Sequence, residues 1–221
     1  VMAFSVFLNL NAQEIGELIE GGYLFHISSD GQTGLIAASN DIGRFEWGCY
    51  EEEIHGAKND DIGTGIQNSL DLSEYNNCGL YDGFGDGNET IPSSDSLAID
   101  AALAYEYDGF DDWYLPSINE LQEIYNTIGP GGTNIGEFPT QEYNSNIHNE
   151  FYWSSSDANT SNNRTAKTIN FANGYNGIER RYRAYRVRPI RSISFVSELP
   201  GCTDSTAFNY NSEANTDDGS C

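Results

Sequence analysis

Arginine is concentrated near the C-terminal end of the chain, where its side chains could bind a charged ligand. Of the ten Lys and Arg residues, six are arginines between positions 180 and 191. They are Arg180, Arg181, Arg183, Arg186, Arg188 and Arg191. A planar guanidinium binds sulfate, phosphate or carboxylate through two parallel hydrogen bonds. The opposite interpretation also stays open, because the 34 Asp and Glu residues could pair with these arginines inside the same domain.

A polar stretch from 157 to 181, crowded with asparagine, supplies further candidate binding residues. Asn, Tyr and Arg on irregular loops are typical of adaptable recognition surfaces. The alternative is a set of solvated turns, since Asn and Gly are ordinary turn residues. With the arginine-rich strand, the candidate ligand-binding face comprises Asn159, Asn162, Asn163, Arg164, Asn173, Tyr175, Asn176, Arg181, Arg183 and Tyr185.

Two acidic segments carry oxygen ligands of the kind that calcium prefers. In the C-terminal tail, Asp204, Asp217 and Asp218 lie among several asparagines, although their spacing matches no EF-hand. The segment Asp82–Glu89 is a weaker candidate, because Phe84 stands at a ligand position and no Glu stands at position twelve. Ca²⁺ is therefore the one cofactor that the sequence raises.

Patterns typical of catalysis are missing from the sequence. His26, His55 and His148 are far apart and have no metal-ligand spacing, and no G-x-S-x-G, H-E-x-x-H or phosphate-loop motif is present. A glycosidase needs two carboxylates, but no particular pair can be singled out among so many. We therefore expect a binding protein rather than an enzyme.

Charge and cysteine content narrow the class of protein further. A net charge of −24 repels nucleic acid and anionic membranes, so neither is expected as a partner. The four cysteines, Cys49, Cys78, Cys202 and Cys221, favour disulfides in an exported chain. Three connectivities are possible, and proximity along the chain favours Cys49–Cys78 and Cys202–Cys221. Without a C-x-x-C pair, a zinc knuckle or redox motif is not supported.

Strand-like segments and two helices would position these groups. The expected strands are 21–27, 33–38, 151–154, 167–171 and 182–187, and Asp30-Gly31 makes a hairpin of the first two. One helix is expected over 96–107 with Asp95 as N-cap. The other begins after Ser117, which forms an S-x-x-E capping box with Glu120. The acidic stretch from Cys49 to about residue 92 is interpreted as a long loop, and the whole as an α+β domain.

Three parts of the chain follow from these signals. The apolar run over residues 1–13 predicts the remnant of a secretory signal peptide, with an ordinary first strand as the alternative. Residues 14–196 form the main domain. Residues 197–221 are a linker and a small loop closed by its own cysteines, too short to hold a core without that disulfide. No other apolar run is long enough to span a membrane.

Several segments, taken in order, resemble one bacterial domain family. They are residues 21–27, 33–38, Trp47-Gly48-Cys49, Ile62-Gly63-Thr64-Gly65 with Gln67-Asn68, Asp112-Trp113-Tyr114-Leu115-Pro116-Ser117 with Glu120-Leu121, Tyr152-Trp153-Ser154-Ser155-Ser156 and Val187-Arg188-Pro189-Ile190-Arg191. Over about residues 20–193 the chain is similar to the Lcl C-terminal domain of bacterial collagen-like adhesins. The tail from Gly201 to Cys221 is similar to a Cys-bounded repeat in exported proteins of gliding bacteria.

The resemblance implies a fold and a role. It implies a C-type-lectin-like arrangement of short antiparallel strands and two helices, on a secreted or cell-surface bacterial protein. It implies adhesion or ligand binding, with an extracellular glycan or protein as partner, and relatives on collagen-like stalks suggest a homotrimer. The alternatives are a structural anchoring segment of a larger surface protein and a carbohydrate-acting enzyme.

Overall fold

The computed structural model describes residues 13–75, 78, 96–139, 150–195 and 199–221. Within these residues the elements are β1 (Leu18–Ile19), β2 (Gly22–Ile27), β3 (Thr33–Ala38), β4 (Gly43–Glu46), α1 (Gly65–Ser73), α2 (Ala98–Leu103), α3 (Ile118–Thr127), β5 (Phe151–Asp157), β6 (Thr165–Asn170), β7 (Tyr175–Arg180), β8 (Ala184–Val187), β9 (Ile190–Ser194), β10 (Pro200–Gly201) and β11 (Thr216–Asp217). The expected α+β class is confirmed. Residues 1–12 of the expected signal-peptide remnant, the loop at 82–89, Asp95 and His148 lie outside the described residues.

Two larger sheets form the body of the domain. One has the order β1-β2-β3-β9 and is antiparallel throughout, and the other has the order β4-β8-β5-β6-β7. In the second sheet only the β5–β8 pairing, at Tyr152 and Arg186, is parallel. Every residue of β5 is buried, because this strand lies between β8 and β6 and is covered on both faces.

Three apolar clusters fill the space around the sheets, and each contains one or more large aromatic side chains. Trp47 and Trp153 lie in the first cluster, Tyr152 and Phe171 in the second, and Trp113 in the third. Burying an apolar side chain of this size contributes roughly 1.5–3 kcal/mol. Trp113, Leu115 and Trp153 are each at most 1% exposed.

Helix α3 has the capping box that its sequence predicts. The Ser117 side chain accepts a hydrogen bond from the Glu120 amide at 3.2 Å, and the Glu120 carboxylate accepts one from the Ser117 amide at 2.6 Å. The apolar side chains that follow at helical spacing, Ile118, Leu121 and Ile124, are buried in the second cluster. The cap and the apolar stripe together account for the position of this helix.

The prediction of two helices is wrong in number, and the prediction of loops is wrong in two places. Helix α1 lies inside the stretch expected to be a loop, and its N-cap Thr64 makes no side-chain capping bond that could have marked it. Helix α2 is shorter than expected and is capped by Leu97, without a side-chain bond, rather than by Asp95. Strand β7 occupies part of the polar stretch expected to be loops.

The buried carboxylate of Glu120 connects two of the sequence motifs quoted above, the one at residues 62–65 and the one at residues 112–117. Beyond the cap of α3, it accepts a hydrogen bond from the Gly63 amide at 2.8 Å, and the Ser117 hydroxyl donates to the Asp61 carbonyl at 2.9 Å. A Cβ at Gly65 would lie 2.3 Å from the Glu120 carboxylate, so only glycine permits this approach. The start of α1 and the start of α3 are therefore held against each other.

The serines of β5 continue this network. The Ser155 amide donates to the Pro116 carbonyl at 2.7 Å, and the Ser156 hydroxyl accepts from the Ile118 amide at 3.1 Å. On the other side, the Trp47 indole donates to the Ser154 carbonyl at 2.8 Å. All three serines are fully buried, and their polar groups satisfy main-chain groups that the core would otherwise leave unpaired.

Both favoured disulfides are confirmed. Cys49 is bonded to Cys78, and Cys202 is bonded to Cys221. The second disulfide closes the tail, where β10 and β11 form a two-stranded parallel pair. The main chains of Cys202 and Tyr210 form a further, isolated parallel β-bridge there. Among the described residues, no helix has the length and apolar character needed to cross a membrane.

Candidate functional site

Of the ten residues of the predicted ligand face, seven have solvent-accessible side chains, and the other three are mostly or fully buried. The accessible ones are Asn159, Asn162, Asn163, Arg164, Asn173, Tyr175 and Asn176, of which Asn163 and Arg164 are half-buried. Arg183 retains 17% exposure and lies with its Nε 3.7 Å from Glu179 Oε2. Arg181 and Tyr185 are 0% and 1% exposed. Both of these side chains therefore lie in the core rather than at the surface.

Arg181 is an internal anchor. Its guanidinium donates to the carbonyls of Cys49 at 2.8 Å, Glu52 at 3.2 Å and Thr165 at 3.2 Å, and to the carboxylate of buried Asp157 at 2.6 Å. The guanidinium also lies 4.7 Å from the centre of the Trp47 ring. Burial lowers the pKa of Arg181, and the adjacent Asp157 carboxylate opposes that shift and keeps the side chain cationic.

Tyr185 belongs to the aromatic core. Its ring lies 4.8 Å from Trp153 and 5.2 Å from Phe151, measured between ring centres. Its hydroxyl donates to Glu179 at 3.0 Å, and burial, together with the Glu179 charge, raises the pKa of the phenol. Tyr185 and Val187 lie two residues apart on β8, so they share a face of the strand, and both pack in the first apolar cluster.

The segment from Cys49 to Glu52 is fixed against the β6–β7 end of the sheet at several points. The buried Arg181 guanidinium donates hydrogen bonds to the carbonyls of Cys49 and Glu52, and the disulfide to Cys78 fixes Cys49. The Glu51 amide donates to the Asn163 carbonyl at 3.0 Å. Cys49, Glu51 and Asn163 all have positive φ, which these contacts must hold in place since such backbone is unfavourable for residues with a Cβ.

A surface cluster of tyrosine and arginine lies on this fixed segment, and we refer to Tyr50, Glu51, Arg164, Arg180 and Tyr182 as the Tyr50 face. The Tyr50 and Tyr182 rings are 5.0 Å apart and nearly perpendicular, at 72°. Arg164 forms an ion pair with Glu51 at 2.5 Å and lies 5.7 Å from the Tyr50 ring centre. Arg180 donates to the Tyr50 hydroxyl at 3.1 Å. The face offers aromatic edges, guanidinium donors and a carboxylate within one small area.

Of these five residues, only Arg164 belongs to the ligand face predicted from the sequence. Tyr50 and Glu51 lie more than a hundred residues from Arg164 along the chain, in a stretch expected to be a loop. The one available signal was Cys49, because a disulfide next to an aromatic residue on an otherwise acidic loop marks a segment that is held in place. Arg180 and Arg181 could not be told apart by residue type.

The exposed asparagines divide between turn formation and solvent. Asn162 Oδ1 accepts from the Arg164 amide at 3.2 Å, and Asn173 Oδ1 accepts from the Tyr175 amide at 2.9 Å. Asn159 and Asn163 have positive φ, which asparagine tolerates better than most residues. These bonds agree with the turn interpretation for Asn162 and Asn173, and each still has an amide group at the surface.

The remaining arginines pair with carboxylates of the same domain, as the second interpretation of the cluster expects. Asp41 accepts from Arg186 at 3.0 Å and from Arg188 at 2.7 Å, and Asp112 forms a two-pronged pair with Arg191. Arg188 also lies 4.1 Å from the Phe138 ring centre. These three arginines, on and between β8 and β9, therefore form ion pairs within the domain.

A buried carboxyl group beside this network gives a pH-dependent prediction. Glu150 is 8% exposed, its Oε2 has no hydrogen-bond partner among the described residues, and burial raises its pKa above the ordinary 4.5 despite nearby Arg186 and Arg44. A carboxyl group with a raised folded-state pKa binds its proton more tightly when folded, so stability falls as pH rises from about 4.5 through the folded pKa. We expect Glu150→Gln to remove that part of the decline.

Chemical unfolding between pH 4.5 and 8 tests this expectation. The wild type should lose more stability than Glu150→Gln across the range, and Glu53→Gln, at an exposed carboxylate, should follow the wild type. Parallel curves for all three proteins would contradict the assignment.

The expected calcium ligands of the tail are not gathered into a metal site. The part of the chain that the structure describes contains no group of three or more His, Cys, Asp or Glu side chains able to hold a metal ion. Asp204, Asp217 and Asp218 instead accept hydrogen bonds from the amides of Thr206, Gly219 and Ser220. These bonds, with those from the Thr206 and Ser220 side chains, lower the pKa of Asp204 and Asp218, as expected for carboxylates that close tight turns.

One comparison with known proteins gives a match. The Lcl C-terminal domain matches the chain over residues 68–191, which is more than half of the 221 residues. The matched span begins within α1 and ends within β9, so it contains Glu120, the β5 serines, Arg164, Arg180 and Tyr182. No curated protein is similar enough to count as a match.

Proposed function

Because this chain belongs to the Lcl C-terminal domain family, we propose that it is a secreted or cell-surface binding module that recognises a glycan through the Tyr50 face. The observation that carries the proposal is the packing of Tyr50 and Tyr182 with two arginines on a segment anchored from the core. Recognition sites need side chains that are held in place before the ligand arrives, because ordering them on binding costs affinity.

The chemistry of the face suits a saccharide. Tyrosine combines a flat apolar ring, which packs on the C–H groups of a sugar, with a hydroxyl that can donate and accept hydrogen bonds. Guanidinium and carboxylate groups beside the rings can bind pairs of sugar hydroxyls. The neighbouring asparagine amides at 159, 162 and 163 extend the same polar chemistry along the turn before β6.

The disulfides support an extracellular setting, and the net charge bears on the kind of ligand. Both pairs of cysteines are oxidised, and disulfides persist in oxidising compartments. A net charge of −24 keeps such a protein soluble and makes anionic polymers unfavourable long-range partners. A neutral or weakly charged glycan is therefore favoured over a polyanion.

Glycan-array binding by the whole chain, followed by calorimetry with the best glycan, tests the proposal. We expect Tyr50→Ala and Tyr182→Ala each to weaken binding at least about tenfold, since losing a contacting ring removes roughly 1.4 kcal/mol or more. Tyr107→Ala is the matched control, because Tyr107 is 45% exposed and belongs to a different aromatic group. The proposal fails if no glycan binds, or if binding survives both changes in variants that melt like the wild type.

A further inference from the structure

Strand β7 is a sheet edge unlike the other edges among the described residues. It is six residues long, pairs with β6 in continuous register and carries no bulge, proline or lysine. The other edges of the larger sheets are short or covered: β1 has two residues, β4 is bridged at Glu46 by Leu97, and β9 is bridged at Ile190 by Tyr114. Natural proteins usually protect long, regular edges, because their free main-chain groups recruit another strand.

The outward side of β7 carries both hydrogen-bonding groups and apolar side chains. The Arg181 amide donates to the Arg164 carbonyl, so in this alternating ladder the main-chain groups of Asn176 and Ile178 are directed away from β6. Ile178 is 54% exposed at the middle of the strand, and Tyr175 is 62% exposed at its beginning. An added strand would satisfy the amides and carbonyls and cover the isoleucine.

The sequence of β7 is complementary to itself in the antiparallel direction. With a two-fold axis at Ile178, Ile178 faces Ile178 of the other copy, Asn176 stands opposite Arg180, and Gly177 stands opposite Glu179. No two like charges face each other in this register, and like charges directly opposite would be unfavourable. We propose that two copies of this chain associate by antiparallel pairing of their β7 strands, joining two five-stranded sheets into one of ten.

Local charge at the β6–β7 edge is nearly balanced, although the chain as a whole is acidic. Of the basic side chains exposed there, Arg164, Lys167 and Arg183 pair with Glu51, Asp60 and Glu179, so two copies of this edge do not meet as two patches of one sign. The rest of the surface carries the excess of Asp and Glu, and that excess opposes the approach of two copies over longer distances. Salt screens the long-range repulsion more than the short main-chain contacts, so association should strengthen as salt rises.

Sedimentation equilibrium on the whole chain, over about a hundredfold range of concentration, tests the pairing. We expect a monomer–dimer equilibrium that tightens between low and moderate salt. Ile178→Lys should weaken the dimer at least about tenfold, because it places two like charges on the axis. Leu70→Lys, at an equally isolated exposed apolar residue on α1, is the matched control and should leave the equilibrium unchanged.

A cross-link fixes the register independently. Directly opposed residues in a hydrogen-bonded antiparallel pair have Cα atoms about 5.5 Å apart, within the range of a disulfide. Ile178→Cys should therefore give a covalent dimer on mild oxidation, and Leu70→Cys should not. The inference is overturned if the wild type is monomeric or trimeric throughout, if Ile178→Lys associates like the wild type, or if Ile178→Cys cross-links no better than Leu70→Cys.

Discussion

Replacing Arg181 with methionine is expected to lower the free energy of unfolding by about 3–5 kcal/mol, the range found when one partner of a buried ion pair is removed. The Asp157 carboxylate, 4% exposed, would lose its cation. The carbonyls of Cys49, Glu52 and Thr165 would lose their shared donor. Methionine fills a similar volume, so the loss would report the missing charge and hydrogen bonds rather than a cavity. Urea denaturation at neutral pH measures the change.

The adjacent arginine provides the control for this variant. Arg180 is exposed and bonded to Tyr50 at the surface, so Arg180→Met should change stability by no more than about 1 kcal/mol. Equal effects of the two substitutions would contradict the assignment of Arg181 as the anchor of the Cys49–Glu52 segment.

Replacing Glu120 with alanine is expected to cost about 3 kcal/mol, through two losses. The capping box of α3 would disappear, and the buried amides of Ser117 and Gly63 would lose their acceptor, at roughly 1–3 kcal/mol for each group left unpaired. Burial raises the pKa of the Glu120 carboxyl, whereas the hydrogen bonds from Ser117 and Gly63 favour its charged form. The midpoint of thermal or urea unfolding measures the loss.

Glu123, three residues further along the same helix, is the matched control. Its side chain is 34% exposed and lies 3.9 Å from His26, so Glu123→Ala should change stability by no more than about 0.5 kcal/mol. Should Glu120→Ala unfold at the same urea concentration as Glu123→Ala, the link between the starts of α1 and α3 would not contribute as described.

The sequence predicted those parts of the fold whose signals are local. Ser117 and Glu120 mark the start of α3 because both halves of a capping box lie within four residues, and the apolar strands β2 and β3 are joined by an Asp-Gly turn. Helix α1 has neither a capping side chain nor an acidic residue in its first turn. Its position comes instead from distant partners, such as the bond between the Asn68 side chain and Ser155.

The candidate face was harder to predict, because burial on a strand depends on the fold. Arg180 and Arg181 are adjacent, yet the Arg180 side chain is exposed and the Arg181 side chain, at 0%, is the most buried of the described basic residues. Tyr185 is buried, whereas Tyr182 is half-buried. The internal pairing of Arg186, Arg188 and Arg191 follows from the positions of Asp41 and Asp112, which no spacing along the chain indicates.

Arg181 holds the Cys49–Glu52 segment through main-chain groups alone, since its two hydrogen bonds to the segment are accepted by the carbonyl oxygens of Cys49 and Glu52. Every amino acid supplies that oxygen, so the grip does not depend on which side chains the segment displays. Position 50 can therefore accept different residues while Arg181 keeps its hydrogen bonds to the segment. Under the proposed function, natural variation at this position would change the preferred ligand at little cost in folding stability.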